Sequence, residues 1–125
     1  MMRFTFPKSE RLKSRKLISQ VFAQGKKKAA YPLLLFYLPL ETSDSTVKIA
    51  FSVPKKRVRS AVKRNRIKRL MREAWRLHKH QITKKMPQAH AFVLLYIGEN
   101  ENPAFRQMEK AMKGMVERLV FSVER

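Results

Sequence analysis

At 125 residues the chain is sized for one domain around one core, and a hydrophobic fraction of 44% argues against wholesale disorder. Its 29 Lys and Arg against 9 Asp and Glu give a formal charge of +20, a self-repulsion that a small fold tolerates best when a polyanion is its normal partner. The lack of cysteine excludes disulfides and thiolate metal sites and agrees with a reducing cytoplasm.

In chain order, Ser9 is placed to cap a helix running to about Gln24, with Gly25 as its stop signal. Leu17 pairs with Val21 and Ile18 with Phe22 along that helix. Leu33 to Leu38 reads as a strand apolar on both faces, with a further short strand expected near Lys28. Glu41 to Thr46, which includes the only aspartate, Asp44, reads as a polar loop. Val47, Ile49, Phe51 and Val53 alternate with Lys48, Ala50 and Ser52, the pattern of a half-buried strand. Pro54 ends it, and a helix is predicted from roughly Arg59 to Lys79. Pro87 marks a break before an apolar strand, Ala91 to Ile97. Asn102-Pro103 opens a last helix whose buried stripe is Phe105, Met108, Met112, Met115 and Leu119. The order α-β-β-α-β-α predicts a single α+β domain over residues 1–125, a mixed sheet packed by helices. Its βαβ crossover would be right-handed by the general rule. The apolar runs are too short to span a bilayer. The start Met1-Met2-Arg3-Phe4 lacks the features of a signal peptide, and no lipidation motif is present. A soluble cytoplasmic protein that binds nucleic acid rather than membrane is expected.

The segment Lys55–Lys79 holds twelve Lys or Arg and one acid, Glu73. Wound at about 100° per residue, Ile67, Leu70, Met71, Ala74 and Leu77 share an apolar arc. Asn65, Lys68, Arg69, Arg72, Arg76 and Lys79 fall opposite, and Arg64 and Arg66 flank the borders. Ordinary surface helices mix signs to gain i,i+4 pairs, and this one forgoes nearly all of them, so phosphate is its natural partner. Lys55 and Lys56 precede the helix, whose first N–H groups add donors for phosphate. A strand and Pro54 stand where a helix-turn-helix would need a preceding helix, so structured or single-stranded RNA is expected rather than DNA. Phe22, Phe36 and Tyr37 are candidates either for stacking on bases or for the core. A protein-borne phosphodiesterase usually clusters Asp and Glu around two metals, and no spaced pair of acids exists here. His78 and His80 fall on different helix faces and His90 is isolated, so surface positions rather than catalytic ones are expected. Three scattered glycines make no phosphate loop.

The stretch Ala61-Val62-Lys63-Arg64-Asn65-Arg66-Ile67-Lys68-Arg69-Leu70-Met71-Arg72-Glu73 resembles the central motif of the ribonuclease P protein family, built on Arg-Asn-Arg. Phe51-Ser52-Val53-Pro54-Lys55-Lys56 is similar to that family's strand and Lys-Lys lead-in. Glu10-Arg11-Leu12, Val21-Phe22 and Gly25-Lys26 fit its N-terminal pattern, so the likeness runs from about Phe6 to Ile97. The resemblance implies a ribosomal-protein-like α/β sandwich with a left-handed βαβ crossover. It implies that Lys55, Lys56, Arg59, Arg64, Asn65, Arg66, Lys68, Arg69 and Arg72 contact a catalytic RNA, the ribonuclease P RNA. It also implies that Ile18, Phe22 and Phe36 line a groove for the single-stranded 5′ leader of precursor tRNA. Ile18 stands where members often carry an aromatic, and Pro54 where they often carry a small residue. Hydrolysis would fall to the RNA with Mg2+ that it mainly holds, and this chain would supply no catalytic or metal-ligating residue. The rival readings are a ribosomal or other RNA-scaffold protein, a stand-alone RNA enzyme, and a DNA-binding regulator.

Overall fold

The chain is described by a computed structural model over residues 6–41, 47–86 and 88–123. The Asp44 loop, the break expected at Pro87 and the start Met1-Met2-Arg3-Phe4 lie outside those residues. The elements are α1 (Arg15–Gln24), β1 (Lys26–Ala30), β2 (Leu33–Pro39), β3 (Val47–Ser52), α2 (Ala61–His78), α3 (His80–Thr83), β4 (His90–Tyr96) and α4 (Phe105–Val123). The strands form one mixed sheet in the order β1-β2-β4-β3. The pairs β1–β2 and β2–β4 are antiparallel, and β3–β4 is parallel. The expected α+β order therefore holds, with the strand anticipated near Lys28 and the short α3 added to it.

The N-terminal boundary departs from expectation. Ser9 sits in a single 3-10 turn, Lys8–Glu10, and the cap of α1 is Ser14, whose Oγ accepts the Leu17 N–H at 3.2 Å. Between them Arg11 pairs in parallel with Ile49, and the Leu12 N–H donates to the Ile49 carbonyl at 2.9 Å. Burying Leu12 and closing the open edge of β3 outweigh local helix propensity there. At the other end Gly25 stops α1 as expected. A Cβ at Gly25 would stand 2.4 Å from the Val21 carbonyl oxygen and 2.9 Å from that of Tyr37, so only glycine lets the chain turn into β1 so close to β2.

Two apolar layers lie on either side of the sheet. Leu33, Leu35, Ile49, Phe92 and Leu94 face α2 and α4, where Ile67, Met71, Trp75, Met108, Met112 and Met115 complete the main core. Phe36, Ala91 and Val93 face the other way, with Leu12 and Val21, and α1 covers them. This explains why β2 and β4 are apolar on both faces. Only Leu70 and Leu77 of the expected α2 arc are half-buried rather than buried, whereas Trp75 is 2% exposed, so the buried arc is rotated toward the tryptophan.

The hand of the crossover follows from Ile49. Its side chain joins the α2 layer while its carbonyl points away from β4, to Leu12. For an L-residue in an extended strand these two directions fix the side on which the neighbour lies. Seen from α2 with the strands pointing up, β4 is to the left of β3. The β3–α2–β4 connection is therefore left-handed, against the general rule and in line with the family resemblance.

Candidate nucleic-acid interface

The strand β3 ends before Pro54, whose carbonyl accepts the N–H groups of Arg57 (3.0 Å) and Val58 (3.2 Å). That turn exposes Lys55, Lys56 and Arg57 while Val58 is fully buried and anchors it. Ser60 then caps α2, its Oγ accepting the Lys63 N–H at 3.3 Å. The helix buries Ile67, Met71, Ala74 and Trp75, which turns Asn65, Arg66, Arg69 and Arg72 to solvent and leaves Lys68 half-buried. Arg59 is exposed at the approach to the helix. All nine predicted contact residues thus gather on the Pro54 turn and the first two-thirds of α2. Exposed Arg57 and Lys63 belong to the same surface, and the sequence reading passed over them although they stand inside the same basic run.

Both arginines of the Arg-Asn-Arg element also brace the fold. Arg64 Nη1 donates to the carbonyls of Val58 (3.0 Å) and Arg59 (2.7 Å), tying the turn to the helix. Arg66 Nη1 donates to the Pro103 carbonyl at 3.2 Å, reaching the approach to α4. A guanidinium has further N–H donors, so these bonds orient each side chain without exhausting it.

The far end of α2 does not continue the strip. Lys79, expected on the exposed side, is 3% exposed, and its Nζ is 2.7 Å from Glu10 Oε1. The helix ends at His78, and the N-terminal turn folds over the next residue. Arg76 pairs with Glu73, which holds the Glu73 carboxyl below the usual range. Within Lys55–Lys79 the cations without a carboxylate partner among the described residues therefore lie between Lys55 and Arg72.

On the opposite face of the sheet, Phe22 of α1 and Phe36 of β2 meet edge to face with centroids 4.9 Å apart. Phe36 is buried and Phe22 is 42% exposed, so the pair presents one ring to solvent. Ile18 is half-buried beside them in the same cluster, and Lys27 Nζ lies 5.3 Å from the Phe36 centroid. The structure thus brings Ile18, Phe22 and Phe36 together. Tyr37 belongs to the other face, packed near His90 and Phe92. His90 is buried there rather than on the surface, with Nδ1 3.0 Å from the Gln88 carbonyl oxygen. His78 sits 3.3 Å from Glu109.

Among the described residues no three of His, Asp and Glu come together as a metal site, and no helix is long and apolar enough to cross a membrane. A cationic helix face on one side of a small sheet and an aromatic cleft on the other define an RNA-binding α+β protein. Comparison with known proteins agrees. A family model described as Ribonuclease P matches residues 6–120. The ribonuclease P protein component of Porphyromonas gingivalis is 42% identical over 123 residues, spanning 96% of this chain and 90% of that protein. That of Geotalea uraniireducens is 35% identical over 120 residues, covering 95% and 98%. The Staphylococcus aureus RNase P protein superposes with a TM-score of 0.73 at 22% identity, over 89% of this chain and 95% of that one. The Thermotoga maritima protein gives 0.70 at 20% identity, over 87% and 96%. The chain belongs to the ribonuclease P protein family, whose members are protein components of the endoribonuclease that matures transfer-RNA 5′ ends.

Proposed function

We propose that this chain binds the ribonuclease P RNA through the Pro54 turn and α2, and the 5′ leader of precursor tRNA through the α1–sheet cleft. The observation that carries the reading is the α2 face, where Arg66, Arg69 and Arg72 are exposed without a carboxylate partner among the described residues. Such a face gains free energy on binding phosphates, because its cations release the counterions condensed on them into solvent. Arg64 and Arg66 are oriented in advance by backbone carbonyls, which lowers the entropy lost on contact. On the other face Phe22 offers a ring to a base of an extended strand, with Lys27 beside it for the phosphate.

Hydrolysis places water on the scissile phosphorus, releasing the leader with a 3′-hydroxyl and leaving a 5′-phosphate on the tRNA. The described side chains do not fit a protein-held pair of metals, so in this reading the Mg2+ required by the holoenzyme is held mainly by RNA. The chain contributes binding and alignment, and it works in the cytoplasm with its RNA partners.

Reconstitution tests this. The purified chain is combined with a bacterial ribonuclease P RNA and labelled precursor tRNA at low magnesium. Cleavage at the mature 5′ end is expected only with protein and RNA together. Cleavage by protein alone, or tight RNA binding without stimulation, overturns the reading.

A further inference from the structure

A second groove runs between the outer edge of β1 and α4. One cavity of about 540 Å³ is lined by Tyr31, Pro32, Tyr96, Asn100, Gln107 and Lys110. An adjoining one of about 650 Å³ is lined by Lys27, Lys28, Glu117, Phe121 and Ser122. Gly114 and Arg118 border both, so the two cavities adjoin as one trough, with the Arg118 guanidinium reaching the Ala29 carbonyl between them.

Gly114 is the informative residue. Glycine is the poorest helix former after proline, yet this one stands in the interior of α4. A Cβ there would meet nothing within 4 Å, so packing does not require its absence. Any larger side chain would stand where the cavities join. The walls suit a nucleotide strand. Tyr31 is 69% exposed at one end, and every base has a face to lay on such a ring. Lys28, Lys110 and Arg118 line the trough against Glu99 and Glu117, so cations exceed acids. The amide groups of Asn100 and Gln107 suit base edges. A peptide adding to the β1 edge fits less well, because the Ala29 carbonyl already accepts a hydrogen bond from Arg118. The trough also adjoins the α2 strip, since Pro103 lines it and its carbonyl binds Arg66.

We infer that the β1–α4 trough is a further binding site for single-stranded RNA, with a base stacked on Tyr31 and phosphates held by Lys110, Arg118 and Lys28. The inference rests on the proposed function only in taking RNA as the partner.

The test uses the full chain and a thiouridine-substituted, unstructured RNA of about 12 nucleotides, a length matched to single-strand site sizes. Ultraviolet cross-links are mapped by peptide. A cross-link at Tyr31 is expected, falling about tenfold in Gly114→Leu, on the scale of one lost stacked base. Gly114→Ala should keep it. Both substitutions improve helix propensity, so melting temperatures at or above the parent's show that the fold is intact. Cross-links confined to the α1–β2 cleft, or a Tyr31 cross-link unchanged in Gly114→Leu, overturn the site; the trough would then be open to an acidic protein partner. Reconstitution is read separately. A parent chain that cross-links at Tyr31 yet fails to stimulate cleavage sinks the subunit reading and leaves the trough standing.

Discussion

Tyr96 closes the C-terminal end of β4 with its hydroxyl donated to the Asn100 carbonyl at 2.5 Å and its ring 1% exposed. Burial, and secondarily the phenol of Tyr31, push its pKa above the ordinary tyrosine value of 10.0. The folded state therefore holds this proton to higher pH than the unfolded chain does. The stabilisation is fully present below about pH 10 and is lost as pH rises through the folded pKa. Tyr96→Phe should cost about 1 kcal/mol near neutral pH, because the Asn100 carbonyl loses its donor. The gap to the parent should close in alkali, where the parent's phenol ionises. Urea denaturation between neutral and alkaline pH reads this directly, and a gap that stays constant would contradict it. Lys79 teaches a related lesson about single positions. Its angle on the α2 wheel puts it with the exposed arginines, but Glu10 arrives from the other end of the chain and takes its ammonium. Helical phase predicts direction, and long-range packing decides burial.

At the scale of elements, α2 divides its cations between bracing the fold and facing solvent. Arg69 and Arg72 are exposed and Arg64 is tied to two carbonyls. Arg69→Ala and Arg72→Ala should leave unfolding free energy within about 0.5 kcal/mol of the parent. Each should lower the slope of log K against log salt for RNA by about 0.9 if it removes one phosphate contact. Arg64→Ala should lose RNA affinity and also about 1 kcal/mol of stability. Arg69 and Arg72 variants with the parent's salt slope would remove α2 from the interface. The strands were legible because their patterns have local causes: β3 alternates since one face is half-covered, and β2 and β4 are apolar throughout since both faces are. The clustering of the cations on one surface was legible for the same reason, being contiguous in sequence. The start of α1 was not, because Ser9 and Ser14 are equally good caps and the choice is made by the distant edge of β3. The β1–α4 trough left no local signal beyond an unexplained glycine, since it joins residues at opposite ends of the chain.

For the whole molecule, a charge of +20 on 125 residues makes ionic conditions part of the stability. The described ion pairs offset few of those charges. Raising ionic strength from about 0.01 M to about 0.1 M shortens the screening length from about 30 Å to about 10 Å. The free chain should gain about 1 kcal/mol, a rise in Tm of about 4 °C. Scanning calorimetry across that range checks it, and a Tm that falls with salt would show that attractive pairs outweigh repulsion. Salt should act in the opposite direction on the RNA complex, where it competes with counterion release.

The placement of α1 and α2 on opposite faces of one sheet has a geometric consequence. A helix about 10 Å across stacked on a sheet roughly 10 Å away makes a slab about 20 Å thick. Strands of RNA seated on its two sides would be about 20 Å apart, more than twice the roughly 8 Å screening length of the surrounding solution at physiological salt. The fold is then an insulating spacer with a charged coat, and its two loads should be energetically independent: neutralising one side should leave the affinity of the other unchanged.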